Sequence, residues 1–239
     1  MTVSDVIIQD KEKINWQDIC LDDTNRNLLN QLIKEYNYVE ELRKYNLPVN
    51  NKIMLEGSSG CGKTTTAKAI ATVLNKPLYV LDLSTVISAR IGETSTHLKL
   101  VFDKAAKDRA VLFLDEFDHL GKMRGKDDKD VGEMRRLVNT IIQLIDYFPD
   151  KALLIAATNH LEVIDIALKR RFQLTLSYQM PGPVELDGYY NKLLQHFPEH
   201  LREVPRKYDV SYAEAKDYLF TELKAIIIHE LEQKQLAEV

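Results

Sequence analysis

The run Gly57-Ser58-Ser59-Gly60-Cys61-Gly62-Lys63-Thr64 constrains this chain more than any other stretch. It follows the apolar Ile53-Met54-Leu55 and precedes Thr65-Thr66-Ala67-Lys68-Ala69-Ile70-Ala71, which has helical character. A strand feeding a helix through such a loop turns successive backbone N–H groups inward around an anion. The first turn of the helix adds partial positive charge. Ser59, Gly60, Cys61, Gly62 and Thr65 join Lys63 and Thr64 as the predicted phosphate-binding set. Lys63 is placed to reach β- and γ-phosphates, and the Thr64 hydroxyl to ligate Mg²⁺. A chance match is expected on the order of 1% of the time at average glycine usage.

Apolar runs alternate with helical patterns around this loop. Ile53–Leu55, Leu78–Leu81, Val111–Leu114, Ala152–Ala157 and roughly 173–176 read as strands, and 63–75, 94–108, 131–147 and 162–168 as helices. Strands alternating with helices predict an α/β fold with a parallel sheet covered on both faces. Before it, Leu28, Leu29, Leu32, Ile33, Tyr36, Val39 and Leu42 repeat at helical steps, and Pro48 is expected to end that helix. Residues 1–23 read as a partly extended N-terminal strap. Pro181-Gly182-Pro183 marks a boundary, after which 181–239 is helical and reads as a lid on the domain at 24–180.

Val111-Leu112-Phe113-Leu114 runs straight into Asp115-Glu116. A buried strand ending in two carboxylates puts acids at the carboxyl edge of a parallel sheet, where ligands bind. Asp115 is expected to hold Mg²⁺, directly or through water, and Glu116 to polarise an attacking water as general base. The next strand ends in Thr158-Asn159. There the amide of Asn159 either orients the water, senses the γ-phosphate or bonds its own turn. Arg170 and Arg171 are either solvated or supply a guanidinium for phosphoryl transfer, typically to a neighbouring subunit.

Together these segments make the chain resemble the AAA+ ATPases, and more closely the classical AAA group. Gly57–Thr64 looks like Walker A, Val111–Glu116 like Walker B, and Ala157-Thr158-Asn159 like sensor 1. Asp165 to Phe172 is similar to the segment that carries arginine fingers. Trp16-Gln17-Asp18-Ile19 resembles the stretch whose backbone contacts adenine, which implicates Asp18 and Ile19. Tyr208 to Ala215, including Asp209, resembles the lid segment over the adenosine. The resemblance implies a P-loop NTPase with a five-stranded parallel sheet in the order 5-1-4-3-2 and a small helical lid. It also implies ATP and Mg²⁺ as ligands, and a ring, usually a hexamer, with fingers given in trans.

Three departures from the family pattern bear on function. The finger segment is shortened to Lys169-Arg170-Arg171-Phe172. Arg90-Ile91-Gly92-Glu93 stands where peptide-threading members carry a pore aromatic. No substantial substrate domain is expected before the core, so recognition is expected to fall to a separate protein effector or substrate, or to the short N-terminus. The leading expectation is a ring-forming remodelling motor. The alternative is a nucleotide-gated scaffold that recruits an effector without threading. A nucleic-acid motor comes third, disfavoured by the net charge of −4. The two cysteines frame no disulfide or zinc site, and neither a secretory signal nor a membrane-length apolar run is visible. A cytoplasmic location without membrane partners is the expectation. Cys61 reads as a small filler within its loop, and His97 and His119, lacking partners at metal-ligand spacing, are assigned no role.

Overall fold

The computed structural model describes residues 7–84, 91–122 and 128–237. Contacts divide the chain into two compact units. One takes the chain through Tyr178 except Ser58–Gly62; the other takes Ser58–Gly62 together with everything from Gln179 onward.

The first unit is built on a six-stranded sheet. In chain order the strands are β1 (Ile8–Asp10), β2 (Lys52–Gly57), β3 (Leu78–Asp82), β4 (Val111–Asp115), β5 (Leu153–Thr158) and β6 (Leu174–Tyr178), and their spatial order is β1-β3-β4-β5-β2-β6. The strands β2 to β6 are parallel and follow the expected 5-1-4-3-2 order. The correction is at the edge: β1 pairs antiparallel with β3, Gln9 opposite Tyr79, so the strap adds a sixth strand. Ile8-Gln9-Asp10 is too short to announce itself by alternation, and its pairing covers a sheet edge. The apolar runs of β4 and β5 are almost wholly removed from water, as central parallel strands require.

Helices α1 (Asp23–Asn37), α2 (Val39–Lys44), α3 (Lys63–Val73), α4 (Ile91–Lys107), α5 (His119–Lys122), α6 (Asp128–Asp146) and α7 (Ile166–Lys169) complete this unit. Leu98, Val101, Phe102 and Ala105 of α4 share one core with Leu137, Ile141 and Ile145 of α6 and with the sheet. These three- and four-residue steps set one buried stripe on each helix. Asp22 caps α1, its carboxylate accepting from the Asn25 N–H at 2.8 Å. The helix expected to run on to Pro48 breaks at Tyr38, whose ψ of 19° leaves the helical range. α2 then closes at Asn46, which takes a φ of 56° while the Leu47 N–H donates to the Leu42 carbonyl. That left-handed cap, rather than Pro48, stops the helix.

The second unit contains α8 (Pro183–Leu194) and α9 (Tyr212–Ala237). Pro183 starts α8, where its missing N–H costs nothing. Leu186, Tyr190 and Leu194 pack with Ala215, Leu219 and Leu223 of α9 and with Leu201, Val204 and Val210 between them. The Tyr190 hydroxyl, fully buried, donates to the Lys207 carbonyl at 2.9 Å. Ser211 and Glu214 form a reciprocal cap: the Ser211 N–H donates to Glu214 Oε2 at 2.8 Å, and the Glu214 N–H to Ser211 Oγ at 3.3 Å. Among the described residues no helix is long and apolar enough to cross a membrane.

Candidate functional site

In a parallel sheet the loops after β2, β4 and β5 emerge at one edge, and these three strands are neighbours. Sequence-predicted residues stand at or just past the end of each: Lys63 after β2, Asp115 and Glu116 at the end of β4, and Asn159 after β5.

Lys63 is the first residue of α3 and is buried. Its Nζ donates to the Gly57 carbonyl and to Asn159 Oδ1, both at 2.7 Å. A buried ammonium requires such acceptors. Gly57 ends β2 with a φ of 134°, and a Cβ there would lie 2.1 Å from the Tyr178 carbonyl oxygen, so only glycine fits this sheet edge. Gly62 has a φ of 103°, and a Cβ added there would meet nothing within 4 Å. Its requirement is therefore purely conformational. Thr64 and Thr65, on the first turn of α3, are exposed.

The loop residues Ser58–Gly62 group with the second unit. The Gly60 carbonyl accepts from the Ala213 N–H at 3.2 Å, and a Cβ on Gly60 would meet Ser211 Oγ at 2.4 Å. Cys61 is buried, its thiol 3.8 Å from the Ser59 carbonyl and 3.6 Å from Met180 Sδ. Asp209 is exposed and holds a φ of 58° just before the capped start of α9.

Asp115 is half-buried, and burial pushes its carboxyl above the ordinary carboxylate range; Glu116 and Asp82 add to that, while the Glu116 N–H and the Lys63 charge oppose it. A carboxylate in such a setting gains from a cation beside it. Its Oδ1 accepts from the Glu116 N–H at 2.9 Å. Glu116 itself has a φ of 53°, the left-handed region that non-glycine residues enter only under constraint. Its Oε2 lies 3.1 Å from His119 Nε2, with both side chains part-exposed.

Asp118 was not among the sequence-predicted residues, yet it ties this edge together. It is 2% exposed, and its Oδ1 accepts from Thr158 Oγ1 at 3.0 Å and from the Asn159 N–H at 3.3 Å. The Phe117 N–H donates to the Ala157 carbonyl at 2.8 Å. The turn after β4 is thereby fastened to the end of β5, which fixes Glu116 relative to Asn159. The available signal was an acid two residues past Asp-Glu, facing a threonine at the end of the next strand.

The arginine pair is divided by its surroundings. Arg171 grips Asp146 through Nε at 3.2 Å and Nη2 at 3.4 Å, and its Nη1 donates to the Ala167 carbonyl at 2.9 Å. Arg170 is exposed, and among the described residues its side chain makes no hydrogen bond or ion pair. Asp18, exposed in a short 3₁₀ turn, accepts from Asn15 at 3.2 Å. Ile19 is buried, and its carbonyl accepts from Arg26 at 3.0 Å. Arg90 lies outside the described residues, and Ile91–Glu93 fall in the first turn of α4.

A family model described as "ATPase family associated with various cellular activities (AAA)" matches residues 53–180, from β2 to just past β6. The chain belongs to the AAA ATPase family. An uncharacterized AAA family ATPase, y4kL, of Sinorhizobium fredii is 34% identical over 92% of this chain and 68% of its own length. A putative 26S proteasome regulatory subunit homolog of Methanothermobacter marburgensis is 27% identical over 67% of this chain and 44% of its own. The chain thus spans about two thirds of the first relative and under half of the second. In fold, it is similar to the crystal structure of the FIGL-1 AAA domain, with a TM-score of 0.65 and 22% identity over 84% of this chain and 67% of that one. AAA ATPases are nucleotide-binding proteins, and the edge carrying Lys63, Asp115, Glu116 and Asn159 lies within the matched segment.

Proposed function

We propose that this AAA protein binds ATP with Mg²⁺ and hydrolyses it at the edge formed by β2, β4 and β5. The observation that carries the reading is the convergence there of a buried lysine, two strand-end carboxylates and an amide hydrogen-bonded to that lysine. The residues present fit the ligand. Gly62 offers an open left-handed loop position, Thr64 an exposed hydroxyl, and Asp115 a carboxylate whose surroundings favour a nearby cation. Ser59 to Thr65 supply backbone donors and Lys63 a charge for the phosphates. Thr64 and Asp115 would hold Mg²⁺, which supplies charge neutralisation at the phosphates. Glu116 takes the proton of the attacking water. Asn159, fixed through its backbone by Asp118 and through its amide by Lys63, orients that water. Asp18 and Ile19 are assigned to the adenosine end, and Asp209 keeps only the role that the family resemblance implies. In this reading 24–180 is the nucleotide-binding domain, 1–23 its strap and 181–239 the lid.

The finer reading is a homo-oligomeric ring, expected to be hexameric and cytoplasmic, that remodels a protein or complex supplied separately. The proteasome-type relative supports a protein rather than a nucleic-acid substrate. The pore segment without an aromatic, Arg90-Ile91-Gly92-Glu93, favours a second reading, a nucleotide-gated scaffold that recruits an effector. Arg170 serves as the finger to the neighbouring site, because Arg171 is already held by Asp146. The test is mixing. Arg170→Ala and Glu116→Gln proteins are each expected to be inactive. Combined, they should regain a fraction of wild-type ATPase, since some interfaces then hold both an intact finger and an intact base. Mixtures that stay inactive under conditions of demonstrated co-assembly refute the shared site.

A further inference from the structure

The turn that carries Glu116 is pinned on two sides. Asp118 fastens it to Thr158 and Asn159, and Gly121 lies so close to the Val163 carbonyl oxygen that a Cβ would come within 2.1 Å of it. The His119 N–H donates to the Glu116 carbonyl at 3.0 Å, which closes a tight turn and brings the two side chains onto one side. His119 Nε2 then meets Glu116 Oε2 at 3.1 Å.

We propose that His119 is a positioning residue for Glu116: its ring, with Nε2 3.1 Å from Oε2, confines that end of the carboxylate and leaves Oε1 to meet the attacking water. Glutamate has three side-chain torsions and here stands part-exposed, so its backbone alone cannot fix its carboxylate. Its left-handed φ redirects the side chain away from the line of β4, and His119 then restrains it at the far end. The imidazole is well suited to this because its own backbone lies between two fixed points, Asp118 and Gly121. The inference rests on the reading of Glu116 as general base.

The test is steady-state ATPase with ADP affinity and melting temperature measured on the same samples. His119→Ala should lower kcat about tenfold, the loss of one polar contact that restrains the carboxylate. ADP affinity should be unchanged, and the melting temperature should move by no more than about 2 °C, as for a part-exposed substitution. His119→Gln, whose amide reaches as far as Nε2, should recover most of the rate. In a Glu116→Gln background, His119→Ala should cause no further loss. An unchanged or raised kcat in His119→Ala overturns the proposal, as does failure of His119→Gln to rescue. If Glu116→Gln alone keeps wild-type turnover, the reading of Glu116 fails instead, and that outcome is distinct.

Discussion

Replacing Asp118 tests whether the two strand ends of the site are held in register by one buried carboxylate. Asp118→Ala removes an acceptor that is 2% exposed and strands two donors, the Thr158 hydroxyl at 3.0 Å and the Asn159 N–H at 3.3 Å. A hydrogen bond to a charged group contributes about 1.5–3 kcal/mol, and the longer one falls at or below the low end of that range. The expected destabilisation is therefore about 2–4 kcal/mol. For a chain of this size it lowers the melting temperature by roughly 5–15 °C. Asp118→Asn keeps the shape and one acceptor oxygen and should cost about 1 kcal/mol. Thermal melts, together with ATPase and nucleotide affinity, measure both consequences. Turnover should fall more than nucleotide binding, because the backbone of Asn159 loses its anchor while the loop at 57–64 keeps its own contacts. An Asp118→Ala protein within about 0.5 kcal/mol of wild type would refute the reasoning, since surface-like costs do not fit a buried, doubly used acceptor.

Two glycines and one ion pair give further expectations. Gly57→Ala should destabilise strongly, because a Cβ meets the Tyr178 backbone at 2.1 Å and backbone must move, whereas Gly62→Ala meets nothing within 4 Å and should cost only about 1–2 kcal/mol of left-handed strain while abolishing nucleotide binding. Melts and ADP titrations separate the two, and equal destabilisation by both would contradict this division. Asp10 holds Lys68 at 2.9 Å, and that hydrogen bond keeps its carboxyl below the ordinary value of 3.8. A depressed carboxyl contributes stability above its unfolded value and loses it as pH falls through the folded one. Asp10→Asn should therefore lower stability by no more than about 1 kcal/mol at pH 7, a pair this solvated being partly screened. The difference from wild type should shrink as pH falls below 3.8 and vanish once the folded carboxyl is protonated; a gap that persists in strong acid would show another cause.

The five parallel strands were legible because each is a short, continuous apolar run bounded by turns, and their order followed from the resemblance that those runs and motifs carry. β1 was not legible. Three residues of mixed character have no periodicity, and what makes them a strand is the open edge of β3. The break at Tyr38 escaped for a related reason: the hydrophobic steps continue across it while the backbone does not. Lys63, Asp115, Glu116 and Asn159 could be placed at one sheet edge from the sequence because strand ends can be located in it. The contacts of Asp118 with Thr158 and of His119 with the turned-back Glu116 were not legible, because they are set by register and by a left-handed φ that no spacing encodes. Arg170 and Arg171 looked equivalent in sequence, and only the position of Asp146 separates them.

The central chemical claim is that Glu116 removes the proton from the water that attacks ATP. Single-turnover release of phosphate from bound ATP, followed beside nucleotide affinity in wild type and in Glu116→Gln, tests it most directly. Glu116→Gln should bind ATP as tightly as wild type and release phosphate at least about 100-fold more slowly, the scale of a lost general base. Phosphate release at the wild-type rate, with ATP equally bound, would contradict it.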